Sequence, residues 1–147
     1  MNRVKMRLKS GDCGVCCFAM VTGMTYEESL DFFQSEVFTK PKDYEKELWV
    51  GIKEMEKGLN LVQTKYIKKV YKYTLPEGEL NFGKKLPGDY TLFCCQAVGM
   101  FLHWIVYLPN KYVIDPDPRQ PDKVYDFDNY NFKRVTSKYF CVLRKEK

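Results

Sequence analysis

Helix-like patterning fills the first sixty or so residues of the chain, strand-like patterning fills the rest, and the two do not alternate. Helices first and strands afterwards predict an α+β fold, not a parallel sheet wound with crossover helices. Residues 1–9 alternate weakly, as an extended lead-in or a short strand. "DCGVCCFAMVTG", residues 12–23, reads as a helix capped by Asp12 and ended by Gly23. On it Cys13, Cys16, Cys17 and Met20 fall at i, i+3, i+4 and i+7, one helical face. A second helix starts at Thr25, which forms a capping box with Glu28, and Leu30, Phe33 and Val37 keep its period. A third is predicted over "YEKELWVGIKEMEKG", residues 44–58, with Leu48, Ile52 and Met55 inward and Gly58 as its stop. Strands are predicted in "LVQTKYIKKVYKYTL" (61–75), "YTLFCCQAVG" (90–99) and "KYFCVLRK" (138–145), and a hairpin in "HWIVYLPNKYVIDP" (103–116). "PEGELNFGKKLPGD" (76–89) is turn-rich.

At 147 residues the chain is expected to form one domain over 1–147, with a helical part over about 12–60 and a sheet part over about 61–145. An aromatic share of 16% argues against disorder. The net charge of +5 comes from lysines scattered along the chain. That pattern suits a solvated surface, whereas nucleic-acid binding favours basic residues gathered on one element among stacking aromatics. No apolar run of about 18 residues is present, so no membrane span is expected. The positively charged N-terminus lacks the apolar stretch of a secretory signal. The expected location is cytoplasmic, where thiols stay reduced, and the six cysteines are read as free.

Among those cysteines, position selects one. A thiol becomes nucleophilic when it is partly thiolate near neutral pH. Unpaired N–H groups at a helix N-terminus favour that charge, and a neighbouring imidazole can take the proton. Cys13 stands at the head of the first predicted helix; Cys16 and Cys17 lie a turn further in. The chain has a single histidine, His103, which opens the strand "HWIVY". A three-residue hairpin loop, Leu108-Pro109-Asn110, pairs Tyr107 with Lys111, Ile105 with Val113 and His103 with Asp115. Partners of that kind lie about 5 Å apart on one face, so Asp115 can orient the imidazole as the third member of a triad. A two-residue loop would put the two side chains on opposite faces.

With these residues in view, "GDCGVCCFAMVTGMTYEES" resembles the start of the papain-like, double-glycine-type cysteine peptidases that process bacteriocin leaders, and of their stand-alone relatives. Those proteins carry Asp-Cys-Gly at the head of the first long helix, and later a His that opens an apolar strand with an Asp-Pro beyond the next strand. "HWIVYLPNKYVIDP" fits the second signature. The two segments cover about a quarter of the chain; residues 40–90 match nothing in that pattern. The resemblance implies a papain-like fold, a peptide or protein substrate, no cofactor, Cys13 as nucleophile, His103 as base and Asp115 as orienting residue. It also implies a Gln a few residues before the cysteine as oxyanion donor. "VKMRLKSGD" contains no Gln; Arg7 lies nearest the expected place and Lys9 is the second candidate. Losing one oxyanion donor costs ~10²–10³ in rate, so a second expectation stands beside hydrolysis: a papain-like shell whose cleft binds a peptide or protein.

Zinc is a rival reading of Cys13, Cys16, Cys94 and Cys95, but adjacent cysteines suit one tetrahedral ion poorly, and no metal site is expected. Cys16, Cys17, Cys94, Cys95 and Cys141 are read as small buried hydrophobes. Trp104 is expected in the core or as a cleft wall beside His103, and Tyr66, Tyr71 and Tyr73 on a sheet face. The carboxylates of "DPDPRQPDKVYDFDNY" lack the ligand spacing of a calcium loop. Nothing in the sequence sets the oligomeric state.

Overall fold

Where helix-forming and strand-forming stretches are segregated along a chain, the helices can bury their apolar sides only against the sheet that follows. A computed structural model shows that arrangement. It describes residues 3–7, 11–42, 48–63, 65–74, 90–97, 103–108, 112–118, 125–126 and 132–144. The helices are α1 (Cys13–Thr22), α2 (Tyr26–Phe32), which runs into a π-helical turn at Phe33–Val37, and α3 (Ile52–Val62). The strands are β1 (Ile67–Thr74), β2 (Tyr90–Ala97), β3 (His103–Leu108), β4 (Tyr112–Ile114), β5 (Tyr125–Asp126) and β6 (Phe132–Arg144). They form one six-stranded sheet in the order β1-β6-β2-β3-β4-β5, with every neighbouring pair antiparallel. The fold is α+β, with the N-terminal helices against a C-terminal antiparallel sheet.

α1 is apolar on all sides and every one of its residues is buried, as expected of a helix enclosed in a core. The spacing of its cysteines therefore selects no face. Gly23 ends it in the left-handed region at φ 82°, its N–H donating to the Ala19 carbonyl at 2.9 Å. The Thr25–Glu28 capping box is present, each side chain accepting from the other residue's N–H at 3.1 Å. The tail of α1 packs into an aromatic cluster: Phe18 stacks on Phe32 at 5.3 Å between centroids and meets Phe33 edge-on at 4.9 Å. Each fully buried ring contributes about 1.5–3 kcal/mol through area removed from water.

Several expectations need correction. The third helix begins at Ile52, not at Tyr44: residues 48–50 are non-helical, and Gly51 takes the cap position, its N–H donating to Glu54 Oε1 at 3.0 Å. Gly58 lies inside that helix instead of ending it. A Cβ there would meet Phe18 at 3.3 Å and Phe32 and Phe33 at 3.5 Å, so the aromatic cluster explains the glycine. The predicted strand over 61–75 splits, its first residues closing α3 and β1 beginning at Ile67. The last strand is longer than expected, and β5 was without a strand signal. Residues 76–89, read as turns, lie outside the described residues. No helix among those described is long and apolar enough to cross a membrane.

Candidate active site

The head of α1 meets β3 because two residues there are small or shaped for it. Gly14 is the first. A Cβ on it would sit 2.7 Å from Val50 Cβ and 3.1 Å from Trp104 Cδ1, so only glycine lets β3 and the Leu48–Gly51 segment come this close. Trp104 is the second. Its indole is enclosed and donates from Nε1 to the Val50 carbonyl at 2.7 Å. It is thus part of the core. Its backbone N–H points to the Cys13 sulfur at 3.4 Å, a donor suited to a thiolate.

β3 also presents His103, fully buried, beside Trp104. Its Nε2 lies 2.5 Å from Asp115 Oδ1. A carboxylate accepts and does not donate, so Nε2 carries the proton. The same Oδ1 accepts the Asp117 N–H at 2.8 Å, which fixes the carboxylate from its own turn. The other ring nitrogen, Nδ1, is buried and has no hydrogen-bond partner; it is the nitrogen left for a proton from Cys13. Burial pulls the His103 pKa down. The hydrogen bond to Asp115 and the nearby Cys13, together with the charges of both, outweigh burial and push it up to about 10. The imidazole is thus held protonated at neutral pH.

The hairpin register differs from the expectation by two residues. Leu108 pairs with Tyr112, Tyr107 with Val113 and Val106 with Ile114, and residues 109–111 connect the strands. Asp115 follows β4 and is not directly opposite His103. A shift of two keeps the parity of the pleat, so both side chains still face one side, and the turn after β4 brings the carboxylate to the ring.

Asp12 takes the cap position of α1, yet its side chain makes no capping bond. The expected cap is replaced by a different role. Oδ2 accepts the Tyr26 hydroxyl at 2.7 Å and the Arg7 backbone N–H at 2.9 Å, while the buried Oδ1 has no hydrogen-bond partner. The Arg7 guanidinium pairs with Glu27 at 2.7 Å and lies over the Tyr26 ring at 4.2 Å from its centroid. Lys9 lies outside the described residues. Cys13 itself is fully enclosed.

The other thiols are packing groups. Cys16, Cys17, Cys94 and Cys141 are buried thiols outside any disulfide. Burial raises the pKa of each, Cys94 to about 12. Cys94 pairs with Trp104 across β2 and β3. Among the described residues no group of three or more His, Cys, Asp or Glu is arranged to hold a metal ion. Sequence reasoning missed Tyr26, the Val50 carbonyl and the Trp104 and Asp117 amides. Tyr26 had stood only as part of a helix start, and backbone groups leave no mark in a sequence. No protein-family model and no curated protein matches this chain.

Proposed function

We propose that this chain is a papain-like cysteine hydrolase acting on a peptide or protein. One observation carries the reading. The head of α1 and a hairpin distant from it in sequence bring a thiol, the only imidazole and a carboxylate together, with the proton on Nε2 held by Asp115 and Nδ1 left for the thiol. The resemblance of the Asp12-Cys13-Gly14 and His103–Pro116 segments to leader-processing peptidases agrees with it.

In this mechanism the Cys13 thiolate attacks a carbonyl carbon and forms a C–S bond, and the carbonyl electron pair moves to oxygen. The oxyanion takes hydrogen bonds from N–H groups at the head of α1, with Arg7 and Lys9 as side-chain candidates. The oxyanion then collapses, the C–N bond breaks, and the His103 imidazolium gives its proton to the departing amine. Water attacks the thioester next, His103 takes its proton, and the C–S bond breaks to return the thiolate.

A second reading, a papain-like binding module, is favoured by two facts: Cys13 and His103 have no solvent exposure, and Arg7 is committed to Glu27 and Tyr26. Under the hydrolase reading, turnover requires the wall over the thiol to open. The two readings separate in a labelling experiment with iodoacetamide across pH, the adduct being located by mass spectrometry. The hydrolase reading expects Cys13 to react ahead of Cys16 and Cys141. Labelling of Cys13 no faster than theirs at every pH removes its chemical support.

A further inference from the structure

The extended lead-in, residues 3–7, joins the two halves of the site. At one end the Arg3 guanidinium donates from Nη2 to the Asp117 carbonyl at 2.7 Å, and the Met6 N–H donates to the Pro116 carbonyl at 2.8 Å. At the other the Arg7 N–H donates to Asp12 Oδ2 at 2.9 Å, where the buried Tyr26 hydroxyl also binds. These contacts fall on the chain neighbours of the triad. Asp12 precedes Cys13; Pro116 and Asp117 follow Asp115, and the Asp117 N–H holds the Asp115 carboxylate. The result is a closed ring of contacts: Cys13, Asp12, Arg7, Met6, Pro116, Asp115, His103, and from Trp104 back to the Cys13 sulfur. A terminal segment frays unless tied down, and this one is tied at the site.

Resting on the hydrolase reading, we infer that the lead-in is a strut that sets the distance between nucleophile and acid, and that Arg3 and Asp12 are positioning residues of the site. The ionisable groups that face the His103 ring are Cys13 from α1 and Asp115 from the turn after β4, while the Cys94 thiol of β2 reaches the His103 backbone. Arg3 acts through the turn, by holding the residue that holds Asp115.

The test is an NMR titration of His103, whose imidazole gives one set of resonances because the chain has one histidine. It is run on the full chain as wild type, Arg3→Ala and Arg3→Lys. The sign separates positioning from simple electrostatics. Deleting a cation by itself raises an imidazole pKa, whereas loosening the Asp115 turn lowers it. The strut predicts a fall of about one pH unit or more in Arg3→Ala and near-complete rescue in Arg3→Lys, which keeps a donor for the Asp117 carbonyl. An unchanged or raised value in Arg3→Ala, with the wild-type imidazole still held protonated, overturns the strut and leaves the hydrolase reading standing. A wild-type imidazole titrating at or below 6.5 overturns that reading, and the strut with it. Where Arg3→Ala fails to fold, Tyr26→Phe at the strut's other end gives the readout: a fall supports the inference and an unchanged titration defeats it.

Discussion

The two ends of α1 are equally buried and chemically opposite. At the tail, Phe18 is surrounded by Phe32, Phe33 and the open face of Gly58, and the Thr22 hydroxyl donates to the Phe18 carbonyl at 2.7 Å. At the head, Asp12 Oδ1 and His103 Nδ1 are buried with no hydrogen-bond partner. An unsatisfied buried polar atom costs about 1–3 kcal/mol, and native structures keep few of them. Burial alone therefore does not separate Cys13 from Cys17 one turn away; their neighbours do. Cys17 sits where burial and surrounding thiols disfavour charge, and Cys13 sits under a backbone N–H beside an imidazole.

The sharpest way to break this contrast is to cut each end in turn. Phe18→Ala removes a core ring and is expected to cost about 3–5 kcal/mol, read by denaturant unfolding. Cys13→Ala is expected to cost far less while abolishing the fast alkylation. Equal losses of stability would erase the distinction between a packing end and a chemical end.

Gly14→Ala probes the close approach of α1 to Val50 and Trp104. Val50 must move to admit a methyl group 2.7 Å away, an overpacking cost of about 1–3 kcal/mol. The displaced Trp104 should also lower the rate of Cys13 alkylation. A variant with wild-type stability and labelling would show that the close approach is incidental.

The pH dependence of stability follows from the buried imidazole. Its folded pKa, about 10, lies above the ordinary 6.5, so the folded state binds the proton more tightly than the unfolded chain. That stabilisation is complete below about 6.5 and is lost as pH rises through about 10. The buried thiols have raised pKa values too, and they add to the loss only above ~8.5, where unfolded thiols ionise. Between about 6.5 and ~8.5 the decline belongs to His103, and His103→Gln is expected to flatten it in thermal melts taken across that range. The smallest effect is expected at the surface. The exposed Arg7–Glu27 pair is screened by water, and Glu27→Gln should leave the melting temperature unchanged within error.

Much of this was legible in the sequence, for identifiable reasons. The segregation of helix and strand patterns gave the fold class. The Thr25–Glu28 box and Gly23 marked real helix ends, because capping is local chemistry. The His103–Asp115 pairing survived a wrong register, since only the parity of the pleat matters to which face a side chain takes. What failed was decided by distant packing. Gly58 looked like a stop and is a seat for Phe18. Asp12 looked like a cap and instead binds Tyr26, fourteen positions along, and the lead-in. The link from the lead-in to the Asp115 turn joins residues over a hundred positions apart through hydrogen bonds that end on backbone carbonyls, which no residue type announces.

The most direct measurement is the NMR titration of His103 in the wild type beside Asp115→Asn. If thiol, imidazole and carboxylate act as one unit, the wild-type ring titrates far above 6.5, toward about 10, and the Asn variant drops below 6.5 because burial then prevails. A wild-type value at or under 6.5, or the same value in both proteins, would contradict it.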